Sequence, residues 1–131
     1  MRPVPGEESL PIRTLDYGGR DLEAGVFVAR TADQWAALWP HSPPPEPPAL
    51  DWPAEMVIVV AVGMRPTGGY SVRIEEVRAG AGLIEVRARE NAPGPNCFTT
   101  QALTYPLHAV AVPARDGEAR LNLQVEIVDC Q

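Results

Sequence analysis

The chain predicts a mostly-β member of the α+β class, an antiparallel sheet or sandwich of about seven strands with one short helix packed on it. Three observations predict this. The stretch Glu55 to Ile74, EMVIVVAVGMRPTGGYSVRI, couples an unbroken apolar run to an alternating one through a Pro and Gly turn. Two later segments alternate cleanly between apolar and polar residues. Helical periodicity is confined to one short stretch after Thr31.

In chain order, residues 1–9 lack periodicity and carry Pro3, Pro5 and Gly6, which predicts a flexible lead-in to a single domain over residues 10–131. Ile12, Thr14 and Asp16 alternate with Arg13, Leu15 and Tyr17 as a short strand that Gly18-Gly19 stops. Gly25 to Arg30 is a second short strand. It leads into Thr31, which with Gln34 three residues on has the form of a capping box: the hydroxyl accepts from the N3 amide and the Gln side chain reaches back to the cap amide. Asp33 suits the positive end of the helix dipole, and Trp35, Leu38 and Trp39 share one face before Pro40. The Trp pair reads either as packing of the helix onto the sheet or as an aromatic recognition patch. Residues 40–48, PHSPPPEPP, predict a stiff polyproline II connector, the alternative being a ligand for an SH3-like groove.

Met56 to Val62 is rich in β-branched residues and bounded by Gly63, as expected of a buried central strand. Arg65 to Gly69 reverses the chain, and Tyr70, Val72 and Ile74 begin the second arm of what reads as a β-hairpin. Val77 has the wrong parity to continue that face, so a bulge is expected near Glu75. The adjacent Glu75 and Glu76 read as a solvated face and not as an acid/base couple. After the Ala79–Gly82 turn, Ile84, Val86 and Ala88 face inward and Glu85, Arg87 and Arg89 outward. Residues 91–106 form a long loop, Leu107 to Val112 is another strand, and Leu121, Leu123, Val125 and Ile127 give a final amphipathic one.

If the segments from Met56 onward are antiparallel neighbours, successive turns alternate ends. The loop at residues 65–69, the loop at 91–105 and the end of the last strand then share one end, which also brings Cys97 and Cys130 close enough to pair. The alternative is a frayed Cys130 and a buried Cys97. Loops held side by side on a rigid sheet are where binding residues usually sit. The candidates are Arg65, Pro66, Thr67, Gly68, Gly69 and Tyr70 in the first loop with Phe98, Thr100 and Gln101 in the second, although Gly and Pro there could serve only to turn the chain.

Composition excludes several classes. All 11 basic residues are Arg and face 17 acidic ones, a net charge of −6, the wrong sign for a nucleic-acid surface. The longest apolar run falls far short of the roughly 20 residues of a membrane-spanning helix. A hydrophobic content of 45% with 21% charge is that of a folded domain. Two Cys and two His without zinc spacing predict no metal, and no cofactor motif is present. A small enzyme would have to use Cys97 with His108, or Ser71 or Thr99 with the same His, and no nucleophile elbow or phosphate loop supports one.

Taken together, GVFVARTADQWAALW, LDWPAEMVIVVAVGMRPTGGYSVRIEEV and NAPGPNCFTTQALTYPLHAVAVP resemble the PrcB C-terminal-like family over roughly Leu10 to Pro113. The most specific pieces are Arg65 to Ser71 and Pro93 to Pro106. That family takes its name from a small accessory subunit of a bacterial surface protease complex. The resemblance implies a non-catalytic interaction module that associates with and stabilises a protease or another exported partner. It implies an exported or cell-surface location, although no leader is visible in this chain, and compartment and oligomeric state stay open. Arg65 to Tyr70, RPTGGY, also looks like the Asn-Pro-Thr-Thr-Gly-Tyr loop of chagasin-type cysteine-protease inhibitors. That similarity implies an alternative function, a loop-wedge inhibitor of immunoglobulin-like architecture.

Overall fold

The computed structural model describes residues 8–16, 22–39 and 49–130. The lead-in up to Glu7, the Gly18-Gly19 stop and the polyproline connector with His41 lie outside them. The elements in order are β1 (Glu8–Leu10), β2 (Arg13–Asp16), β3 (Gly25–Ala29), α1 (Ala32–Ala37), β4 (Glu55–Ala61), β5 (Ser71–Gly80), β6 (Leu83–Pro93), β7 (Leu107–Pro113) and β8 (Glu118–Val128). They form two four-stranded sheets, β1-β5-β6-β8 and β2-β7-β4-β3.

The second of these is the middle layer of three, because β4 is apolar on both faces. Met56, Ile58 and Val60 point toward the outer sheet and join Val72, Ile74, Val77, Ile84, Val86, Val110 and Val112 in the main core. Val57, Val59 and Ala61 point the other way, where Trp35, Trp39 and Leu22 cover them with Leu107 and Ala109. An unbroken apolar run is what a strand buried on both sides requires.

The helix forms as its cap predicts: the Thr31 hydroxyl accepts from the Gln34 amide at 3.1 Å. The Gln34 side chain reaches one residue further than the expected cap amide and accepts from the Arg30 amide at 2.7 Å. Trp35 and Trp39 are buried and meet edge to face, with ring centroids 5.4 Å apart. The packing reading of the pair is therefore correct, and the recognition-patch reading is excluded.

The expected short strand after Pro11 forms as β2, and β1 precedes it in the other sheet, so the described residues hold eight strands where about seven were expected. Three expectations need correction. Strand β1 begins at Glu8, within the expected lead-in. Glu55 to Ile74 is not a hairpin: both edges of β4 are taken by β3 and β7, and the chain crosses to the outer sheet before β5. The strands after Met56 are not all antiparallel neighbours, because β7 returns to the middle sheet and leaves β8 beside β6, parallel to it. The alternation of ends survives this change, since it depends on chain direction and not on adjacency.

The bulge is present, with the β5 to β6 register shifting between Ile74 and Glu76. Glu75 and Glu76 lie beside Arg87 and Arg89 on the solvent face. A tight turn at Ala81 and Gly82 joins β5 to β6 with φ of 54° and 75°, the positive pair of a type I′ turn, whose twist matches that of the strands it joins.

Candidate functional site

Two of the crossovers from sheet to sheet, β4 to β5 and β6 to β7, lie at one end of the sandwich, and they are laced together. Arg65 and Thr104 exchange backbone hydrogen bonds of 2.7 and 3.0 Å, an isolated bridge between the two loops. The Gly68 amide donates to the Thr100 carbonyl at 2.9 Å, and the Thr104 hydroxyl to the Thr67 carbonyl at 2.8 Å. Gly69 sits where the loops press closest. Its φ is +90°, and a Cβ there would stand 3.0 Å from Thr99 Cγ2 and 3.2 Å from Pro93, so glycine is needed both for conformation and for space.

Arg65 is turned inward. Its Nε and Nη2 donate to the two carboxylate oxygens of Glu90 at 2.6 and 2.8 Å, and its Nη1 donates to the Met64 carbonyl. The Tyr70 ring lies 5.8 Å from the guanidinium carbon. Glu90 is only 2% exposed, on the inward face of β6. Its carboxylate raises the Arg65 pKa above the ordinary arginine value, so the guanidinium remains charged. Arg65 thus pins the first loop to the outer sheet.

The second loop is tied to the end of β8. Cys97 and Cys130 form a disulfide with Cα atoms 4.8 Å apart. The Gly94 amide donates to the Val128 carbonyl at 2.9 Å, and the Asp129 carboxylate accepts from the Asn96 backbone and side chain. Phe98 projects from this loop fully exposed. Thr100 and Gln101 are exposed beside it, the Gln101 amide donating to the Thr99 carbonyl at 3.3 Å.

The structure thus brings residues 65–70 against Thr100, with Phe98 and Gln101 on the same loop. Sequence reasoning missed two features here. Glu90 shares the inward parity of Ile84, Val86 and Ala88, a signal that was available. The exposure of Val125, Ile127 and Val128 was concealed by the assumption that the last strand buries its whole apolar face.

A separate cleft of about 440 Å³ lies between β2 and the bulged part of β5, lined by Ile12, Thr14, Arg73, Ile74, Glu75 and His108. His108 closes its floor. Its Nδ1 accepts from the Ile74 amide at 2.8 Å, which places the ring proton on Nε2, 3.0 Å from the Thr14 hydroxyl. Burial, with a smaller contribution from Arg73, lowers the His108 pKa to about 4. The Cys97 and His108 couple is not formed: the sulfur is held in the disulfide and the imidazole bridges the two sheets. Among the described residues, no group of three or more His, Cys, Asp or Glu side chains is placed to hold a metal ion, and no helix is long and apolar enough to cross a membrane.

Residues 56–113 match the family model described as PrcB C-terminal. The match runs from the second residue of β4 to the last of β7, and so covers the two central strands of each sheet together with both crossover loops. The four edge strands and the helix fall outside it. No curated protein and no solved structure matches the chain.

Proposed function

We propose, from the PrcB C-terminal match over residues 56–113, that this domain is a non-catalytic interaction module that associates with a protease, or another exported partner, and stabilises it. The observation that carries this reading is the crossover end itself. Two loops are locked together by backbone bonds, pinned by Arg65 and Glu90 and tied by the disulfide, yet they present Met64, Phe98 and Leu103 to solvent. Large apolar side chains on a preorganised loop are the usual anchors of a protein interface. The partner face then consists of Phe98, Thr100, Gln101 and the outer side of residues 66–69, with Arg65 holding the loop from behind.

The test is co-purification of the tagged domain with a protease from its native host, repeated with Phe98→Asp/Leu103→Asp. Both side chains are exposed, so the fold should persist while the protease is lost. A protease that co-purifies equally with the double variant would remove the loop end from the proposal. The second reading, a wedge inhibitor, is favoured by one observation: the RPTGGY loop emerges at one end of a two-sheet sandwich beside a second loop. Inhibition of a papain-like protease that is lost in a Thr67→Ala/Gly68→Ala variant would select it.

A further inference from the structure

We infer that β8 is the pairing edge of a twofold homodimer, in which two copies extend the outer sheet by lying antiparallel across Leu123. Edge strands are normally blunted by shortness, bulges, proline or inward charge. The other edges follow this rule: β1 has three residues, β2 has four and a register shift, and β3 has five. β8 has 11 residues, an unbroken register against β6, and neither Pro nor Gly. β3 lies near it across the open side of the sandwich but shares no ladder with it.

The backbone fixes which groups of β8 are offered. The Glu118 amide donates to the Gly82 carbonyl and the Val128 carbonyl accepts from the Gly94 amide, so the even-numbered residues turn their N–H and C=O toward β6. Backbone groups alternate sides along a strand. The odd-numbered residues Ala119, Leu121, Leu123, Val125 and Ile127 therefore direct theirs to the open edge, and their side chains share the face that packs Leu121 and Leu123 on the core.

A second β8 placed antiparallel must match odd with odd, and the side chains then select the register. With Leu123 opposite Leu123, Leu121 meets Val125 and Ala119 meets Ile127 on the inner face. On the outer face Asn122 meets Gln124, and Arg120 meets Glu126 at both ends of the ladder. The latter pairs are non-hydrogen-bonded positions, where side chains approach most closely. Sliding the partner one step to centre on Asn122 sets Glu118 against Glu126, and centring on Gln124 sets Arg120 against Val128. Only the Leu123 register is complementary in both charge and apolarity. It also covers Val125 and Ile127, which the monomer leaves 61% and 70% exposed. Because the strands run oppositely, the two crossover ends point away from each other, and this inference does not rest on the function proposed for them.

The experiment is sedimentation equilibrium of the full oxidised chain over a concentration series, with three variants. Val125→Pro removes an edge amide that the fold itself does not use, and it should abolish dimers while leaving the monomer folded. Arg120→Glu and Glu126→Arg should each associate roughly tenfold more weakly alone, because like charges then oppose each other twice per dimer. Mixed together they should associate as the parent chain does, since each Glu then faces an Arg in both pairs. The mixture also controls for misfolding of either variant. A chain that stays monomeric throughout, dimers that survive Val125→Pro, or charge variants that associate no better mixed than alone would each overturn the inference.

Discussion

Arg65 and Glu90 are joined by two hydrogen bonds, of 2.6 and 2.8 Å, that carry a loop residue across the mouth of the sandwich to a carboxylate on its inner face. Removing one partner of such a pair leaves a buried charge without a counter-ion. Arg65→Ala should therefore cost about 3 kcal/mol. Arg65→Lys should cost less, since it keeps the charge and loses the fork. Adding Glu90→Leu to Arg65→Ala should recover much of the loss, because the orphaned carboxylate is then gone. Urea unfolding of the three variants checks this, and additive losses in the double variant would contradict it.

His108 predicts a pH dependence with a definite sign. Its pKa falls from 6.5 to about 4 on folding, so above 6.5 both states are neutral there and the fold has its full stability. As pH falls below 6.5 the unfolded chain takes up a proton that the folded one refuses, and stability is lost progressively until about pH 4. The loss from this group amounts to about 3 kcal/mol. An imidazole resonance of His108 titrating near 6.5 in the native protein would show that the ring is not held neutral by the Ile74 amide and the buried site.

The helix offers a contrast between two adjacent substitutions. Thr31→Ala removes the cap bond to the Gln34 amide and should cost about 1 kcal/mol. Trp35→Ala empties a site 3% exposed between the helix and β4, and should cost roughly 3–5 kcal/mol. Thermal melts of the two variants should rank them in that order, and equal losses would mean that the helix is not docked.

Reduction of the Cys97 and Cys130 disulfide releases a loop closed across a sequence separation of 33. The chain-entropy account gives a loss of about 4 kcal/mol. The Gly94 and Cys97 amides, which donate to the Val128 and Gly94 carbonyls, should exchange with solvent faster than the β5 and β6 core once the bond is reduced. Equal exchange before and after reduction would show that the remaining contacts hold the loop unaided.

The central strands were legible because Met56 to Val62 has no polar face to leave in water, and Ile84 to Ala88 has one polar and one apolar face. The bulge was legible from the parity of Val77, and the shared end of Cys97 and Cys130 from chain direction alone. Sheet membership was not, because nothing local to β4 says that β3 and β7 will occupy both its edges and divert β5 elsewhere. The inward turn of Arg65 depended on Glu90, far along the chain, although Glu90 occupies an apolar parity on its own strand. Val125 and Ile127 alternate as buried residues would, but β8 has 11 residues against seven in β4 and β7, so its inner positions past Leu123 have little to pack on.

The parallel contact of β6 with β8 has a kinetic consequence. β5 and β6 need only a tight turn to find each other, whereas β8 reaches β6 only after β7 has crossed into the middle sheet and the chain has crossed back. Pairing between strands that far apart in the chain must overcome loop-closure entropy before any contact rewards it, so β8 docks on β6 after the β5 and β6 hairpin has formed. Cys130 lies just beyond the end of that strand. In a reduced chain refolding in an oxidant, the appearance of the Cys97 to Cys130 bond is therefore a clock for the docking of β8, running behind the signals that come from the β5 and β6 hairpin.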